Sequence, residues 1–541
     1  MQNQLQHHIL FMDLAQKQHT EIPSPILDME YLEELHLEKN QIEVIPKEIC
    51  QLRRIKVLYL NDNSIKYLCE ELGELQTLHS LDLSCNPLHS SSLEVISKMH
   101  HLHELRLYYV NLEKIPVHIC TNLPHLKLLG LSNNNIKSLP PETVNLVQLK
   151  EIYLRNNRFQ HFPADLCLLP MLEIIDLEQN ALKSIPEEVG SLPRLIKLFL
   201  GCNSLNVLPN SLSRCRKLSV LDVSSNHIQK VSSKLCKLTE LNELGLSGNL
   251  LTGISSKICK LSSLCVLYLK NTGLKELPPA FSKLTFIKIL DLSQNLFTDV
   301  PQEICALSQL EILSLDDNMI CSIIPEVKQL IKLIYLGLTG NRFTAFPEQI
   351  CHLESLESLY IGQDQGIKLS SLPETICTLK NLKKLYIENN NLEFLPSNIN
   401  FLENLEILDC RNNSLKQLPD SICKLQGLQK LLLQNNQLSI LPNNIDNLQN
   451  LEEFMLDANP LTDPPIEVCN LGKSAIWQYL LEKRHRNALA TKIQAWWRGL
   501  MVRKGLGPFS CLLKSGKKGK KSKKGAKSKE KGKKATKGKK K

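Results

Sequence analysis

The sequence predicts an α/β solenoid, curved like a horseshoe with parallel strands on its concave face, followed by a helical segment and a disordered tail. Three observations carry this reading. An Asn recurs at a nearly fixed step of 23 residues along some 420 residues of chain. Apolar residues alternate just before each Asn, as strands require, and the last part of the chain abandons the period for a basic helical pattern and then a lysine run.

The Asn slot falls at Asn40, Asn63, Asn86, Asn134, Asn157, Asn180, Asn203, Asn226, Asn249, Asn295, Asn318, Asn341, Asn390, Asn413, Asn436 and Asn459, with Val110, Thr272 and Asp364 in the same series. The full phrase Leu-x-x-Leu-x-Leu-x-x-Asn-x-Leu-x-x-Leu-Pro runs from Leu126 to Pro140. This is the signature of a leucine-rich repeat, in which one strand cannot bury its apolar face alone and the next copy supplies the cover. The Asn amide suits a sharp backbone turn, because it can donate to and accept from neighbouring loop backbone, so stacked copies should build an Asn ladder. The Pro after it (Pro46, Pro140, Pro209, Pro419) ends the extended part and opens a short helical turn on the outer face.

Residues 1–31 read as a degenerate opening copy, with Ile9, Met12 and Leu14 in the strand slots and Lys17 where Asn would stand. Steps of 24 before Val110 and Asn134, and of 26 before Asn390, mark insertions; the last holds Gly366 and Ile367 and is expected in a loop. The domain reading is therefore 1–471 for the array, 472–507 for a capping helix and a second helix, and 508–541 for the tail.

Of 18 cysteines, ten share one repeat position (Cys50, Cys120, Cys167, Cys236, Cys259, Cys305, Cys351, Cys377, Cys423, Cys469). A position set by the repeat calls for a small apolar residue, so these read as structural thiols of a reducing, cytoplasmic compartment, with cytoskeleton, cilium or nucleus as alternatives. No CxxC or paired Cys/His spacing suggests zinc, and no cofactor is implied. No signal peptide or membrane span is expected. Nor is an enzyme: no catalytic set stands apart from the period, and Gly472-Lys473-Ser474 lacks the upstream glycine of a phosphate loop.

On the strand face, the residue between the second and third Leu of each copy should point to solvent. Tyr59, Tyr153, Phe199, Tyr268, Tyr360 and Tyr386 fall there, interspersed with carboxylates, and read as a stripe for a protein partner. The other reading of the same rings is that Tyr favours strands and packs on its neighbours.

Past the array, Ser474–Lys483 reads as a helix with Ile476, Tyr479 and Leu480 on one face, and Ala488–Lys504 as another. In the second, Ile493, Trp496, Trp497, Leu500 and Met501 form one apolar stripe among Lys483, Arg484, Arg486, Lys492, Arg498, Arg503 and Lys504. A basic amphipathic helix with bulky anchors suits an acidic, groove-forming partner of the calmodulin type. Ile493-Gln494-x-x-x-Arg498-Gly499-x-x-x-Arg503, with Leu506 three residues on, resembles the complete IQ motif. The resemblance implies calmodulin or a calmodulin-like light chain as partner, with Ile493 as anchor, Gln494 bonding backbone, Arg498 and Arg503 facing lobe carboxylates, and Gly499 a point of close approach. The outer phrase from Leu418 to Leu425 is similar to that of intracellular repeats in Ras-signalling scaffolds. The whole arrangement resembles the leucine-rich-repeat and IQ-motif-containing proteins.

The net charge of +10 is mostly the tail: residues 514–541 hold 16 Lys against Glu530, so the rest of the chain is mildly acidic. With too few apolar residues to order it, the tail is expected to be disordered and to attach, if at all, to an acidic polymer or anionic surface through salt-sensitive contacts. Sequence-specific nucleic-acid binding is not expected. The function expected is a binding scaffold in signal transduction; the alternative is a cytoskeletal or ciliary component held through the lysine tail.

Overall fold

The computed structural model describes residues 9–363, 368–504 and 506. Twenty strands of three residues each run from β1 (Phe11–Asp13) and β2 (Glu34–His36) to β20 (Glu453–Met455) in one sheet. Every pairing is parallel and joins consecutive strands, Leu35 facing Leu58 and Leu58 facing Leu81. The opening copy is thus a real strand, β1, paired to β2 in the same register. Among the described residues no strand pairs with its other edge, and Met12 and Leu14 are only half-buried while Leu35 and Leu37 are sealed.

The Asn ladder forms as expected, and its geometry shows what it does. Asn63 donates from Nδ2 to the Leu60 carbonyl of its own copy (3.0 Å) and to the Leu37 carbonyl of the copy before (2.9 Å). Its Oδ1 accepts from the Ile42 N–H at 2.9 Å. The residue just before each slot is left-handed even where it is not glycine, from Asn156 at φ 51° to Asn133 at φ 61°. Such a conformation costs about 1–2 kcal/mol in an ordinary residue. The buried amide beside it offsets that cost by satisfying backbone groups that the turn removes from the sheet ladder.

Where a copy lacks Asn, the next Asn takes a second N–H. Asn134 Oδ1 accepts from both Val110 (3.1 Å) and Leu112 (3.0 Å). Asn295 does the same for Thr272 (3.0 Å) and Leu274 (3.1 Å), and Asn40 for Lys17 and His19, both at 3.0 Å. These departures therefore leave the ladder intact. Asp364, Gly366 and Ile367 lie outside the described residues.

On the outer face the repeat Pro opens a short helical turn, in most copies 3-10, the N–H three residues on donating to its carbonyl, as from Ile49 to Pro46 at 3.1 Å. The two 24-residue steps lengthen this outer segment. One carries the nine-residue turn Ser90–Lys98, the other a true α-helix, Val117–Asn122, where most copies have five residues of 3-10 turn.

Most of the repeat-set cysteines are buried and all are free; among the described residues there is no disulfide. Burial pushes the thiols up, Cys305 and Cys423 to about 11 and Cys167 to about 12, so they stay protonated as apolar filling. The described chain divides into two compact units between Asp463 and Pro464. The second begins with a short helix, Ile466–Cys469, against which the long helix Lys473–Lys504 packs. No helix among the described residues is long and apolar enough to cross a membrane.

Candidate functional site

The two helices expected after the array are one. Lys473–Lys504 is continuous for 32 residues, because His485-Arg486-Asn487 contains no breaker and Gly499 is the only glycine within it. A backbone bond from the Leu506 N–H to the Met501 carbonyl at 3.0 Å, a six-to-one closure, ends it.

This helix has two unlike faces. Ile476 and Leu480 near its start are 2% and 1% exposed. Trp496 lies sixteen residues after Leu480, about 160° round the axis at about 100° per residue. There the apolar side chains stand in solvent: Ile493 is 65% exposed, Trp496 59% and Trp497 54%. Leu489, at 45%, extends the same stripe one turn towards the N-terminus, and Leu481 flanks it. Neither was singled out from sequence, although the i, i+4, i+7 spacing from Leu489 to Ile493 and Trp496 was available to do so. Leu500, Met501 and Gly499 are half-buried, and Gln494, Arg498, Arg503 and Leu506 are exposed. A Cβ added at Gly499 would meet nothing nearer than the Arg503 guanidinium at 3.8 Å, so a partner's backbone can come close there.

From Lys483 to Lys504 the chain holds seven Lys and Arg and no carboxylate. An exposed apolar stripe set among positive charges is complementary to an acidic groove with an apolar floor.

The strand face is a second candidate surface. Tyr59, Tyr153, Phe199, Tyr268, Tyr360 and Tyr386 all occupy the third strand position, and all are half-buried rather than fully presented. Part of their surface is spent on neighbours. Tyr360 and Tyr386 stack at 4.3 Å and 7°, and Tyr335 joins them at 5.1 Å. His36 sits between Phe11 (5.2 Å) and Tyr59 (4.8 Å), and the Tyr153 hydroxyl donates to Glu151 at 2.7 Å. Among the described residues Phe199 and Tyr268 stack on no other ring. Tyr335 escaped the sequence reading because it occupies the first strand position. Tyr108 did too: its ring covers Gly130, where an added Cβ would lie 2.5 Å from it, so the glycine is what lets the ring lie flat.

Carboxylates line the face between these rings. Burial pushes the carboxyls of Asp82, Asp176, Glu178 and Asp316 up, partly offset by hydrogen bonds such as Thr339 N–H to Asp316 at 2.7 Å. They are structured by the turn that follows, as when Asp176 accepts the Glu178 N–H at 3.0 Å.

A repeat solenoid with an exposed aromatic and acidic strand face, together with a basic helix carrying an IQ motif, belongs to the class of protein-interaction scaffolds. Comparison with known families agrees. Models described as leucine rich repeat match residues 30–88, 100–159, 170–228 and 262–320, a leucine-rich repeat region matches 385–473, and the IQ calmodulin-binding motif matches 487–506. A solved leucine-rich-repeat protein from Leptospira interrogans is 31% identical, covering 77% of this chain and 94% of its own, with a TM-score of 0.56. The chain belongs to the leucine-rich-repeat proteins. It is also similar to leucine-rich repeat and IQ domain-containing protein 4 of Homo sapiens, 57% identical over 159 residues, and of Mus musculus, 56% identical over 167. Those matches take in 29% and 31% of this chain and 28% of each relative, so the chain spans under a third of the curated relatives it matches.

Proposed function

We propose that the chain is a cytoplasmic scaffold for signal transduction, in which the helix Lys473–Lys504 recruits calmodulin or a calmodulin-like light chain while the strand face holds a second protein. The observation that carries the proposal is the exposure of Ile493, Trp496 and Trp497 on a helix that buries Ile476 and Leu480 near its start. Exposing two adjacent indoles gives up roughly 1.5–3 kcal/mol of burial for each large side chain, which a partner's groove would recover.

In this reading Ile493, Trp496, Trp497, Leu500 and Leu506 enter the apolar groove. Arg498 and Arg503 meet the partner's carboxylates, Gln494 bonds its backbone, and Gly499 leaves room for close approach. The buried, free thiols at the repeat-set cysteine position support a reducing compartment. On the strand face Phe199 and Tyr268, unstacked, are the better anchors, since Tyr59, Tyr153, Tyr360 and Tyr386 commit part of their surface to neighbours. The lysine tail, outside the described residues, would add a salt-sensitive attachment to an acidic surface.

Reversing charge at Arg498→Glu with Arg503→Glu tests the helix. Capture of calmodulin on a column should fall by more than about a hundredfold, since two charged contacts become repulsive at about 1.5–3 kcal/mol each, with the thermal unfolding curve unchanged. Retained capture would defeat the assignment.

A further inference from the structure

Seven of the chain's fifteen histidines fall between His79 and His125. Four of them, His79, His101, His103 and His125, lie together with Lys127 at one edge of the sheet. The residue preceding each strand there forms a continuous column, each N–H donating to the carbonyl of the residue in the copy before: Lys56 to Glu33 (2.7 Å), His79 to Lys56 (2.8 Å), His103 to His79 (2.8 Å), Lys127 to His103 (2.7 Å), Lys150 to Lys127 (2.8 Å) and Glu173 to Lys150 (2.7 Å). Side chains in such a column stand about 4.8 Å apart. At its ends the charges cancel, Lys56 pairing with Glu33 at 2.7 Å and Lys150 with Glu173 at 3.2 Å. The middle three, His79, His103 and Lys127, have no carboxylate partner among the described residues.

A second row flanks this centre. The His79 and His103 rings stack at 4.8 Å and 14°; His125 lies 6.3 Å from His103 and 6.1 Å from His101. His79, His101, His125 and Lys127 are exposed, and His103 is half-buried. His79 Nδ1 lies 2.6 Å from the Thr77 carbonyl, which fixes the proton there and leaves Nε2 outward. The rings present faces and edges rather than converging nitrogens, and among the described residues no set of His, Cys, Asp or Glu converges on a metal position.

We propose that this histidine and lysine column docks a short acidic peptide segment of a partner protein, and that the docking tightens as the pH falls from about 7.5 to 6. The patch is bounded by Glu33 and Glu173, so its uncovered length is only about two strand spacings, some 10 Å. An extended peptide places same-side residues about 6.6–6.8 Å apart and can set two carboxylates on that length. A nucleic-acid backbone, with a charge every few ångströms along its length, would run on over the two end ion pairs, where no net positive charge answers it.

The groups facing His103 all oppose its charge. Burial lowers its pKa first, then Lys127, His79, His125 and His101. An anionic segment laid over the column removes that opposition, so protonation and docking favour each other.

The test is fluorescence anisotropy of a labelled hexa-aspartate peptide against the full chain at fixed ionic strength, at pH 7.5 and 6.0. The lysine tail also attracts this probe, but lysines keep their charge across that interval, so the change with pH reads the imidazoles. The wild-type chain should bind about fivefold or more tightly at pH 6.0, as expected for about 1 kcal/mol per exposed pair. In the variant His79→Asn with His103→Asn the gain should shrink below about twofold, at an unchanged melting temperature. Lys127→Gln should weaken binding at both pH values and keep the gain. An equal gain in the double variant, or none in the wild type, would overturn the proposal. So would a deoxythymidine oligonucleotide that shows the same histidine-dependent gain at lower concentration, which would reassign the patch to nucleic acid.

Discussion

Leu198 in the array and Trp496 in the helix are both large apolar residues, yet Leu198 is fully sealed and Trp496 is 59% exposed. The difference is not one of local pattern, since each sits on a clean apolar periodicity. In the array a neighbouring copy stands one strand away and provides the cover, so periodicity is self-satisfying. In the second half of the helix no described element covers the stripe, so the same kind of pattern becomes a demand for a partner. Reading an apolar pattern as function therefore depends on whether the chain itself supplies the other half of the contact.

Substitution can break this contrast directly. Asn249 is completely buried, donating to Val223 (3.0 Å) and Leu246 (2.9 Å) and accepting from the Ile228 N–H (3.0 Å). Asn249→Ala orphans that N–H and two carbonyls and should cost roughly 2–4 kcal/mol, given about 1–3 kcal/mol for an orphaned buried group. Chemical denaturation of the variant gives the number. Trp496→Ala with Trp497→Ala should change stability by less than about 0.5 kcal/mol, as for exposed positions, while abolishing calmodulin binding. A large stability loss in the Trp pair would show that the stripe is covered after all.

Much of this was legible in advance because a repeat multiplies each signal. The Asn slot, the outer Pro turn and the shared Cys position were each seen many times, and the turn they imply is the one observed at Asn63 and Pro46. What escaped had been seen once. Ser474–Lys483 and Ala488–Lys504 each carry their own apolar face and so read as two helices; the backbone between them, lacking any breaker, continues. The strand-face rings were placed at the right positions, but their stacking was not legible, because Tyr335 and Tyr360 approach across strands from different strand positions. The histidine column depends on the same cross-strand adjacency, which a linear reading registers only as a local abundance of His.

A finer effect sharpens the picture of the strand face. Burial raises the Asp316 carboxyl, with Asp317 and Asp291 adding repulsion against the Ser314 and Thr339 bonds. A carboxyl raised in the folded state contributes stability fully below its unfolded value of about 3.9 and loses it as pH rises through the folded value. At pH 7 the charged form is thus held at a cost, and Asp316→Asn should melt slightly higher than the wild type. The gap should close as the pH is lowered towards about 4. A gap that widens on acidification would mean that the hydrogen bonds outweigh burial.

The most direct test of the central claim is calorimetric titration of the full chain with calmodulin, once with calcium and once with chelator. The account predicts saturable binding with one calmodulin per chain in at least one of the two conditions, lost in the Trp496→Ala with Trp497→Ala variant. Absence of binding in both conditions, with the chain folded, would contradict it and leave the exposed indoles without the partner assigned to them.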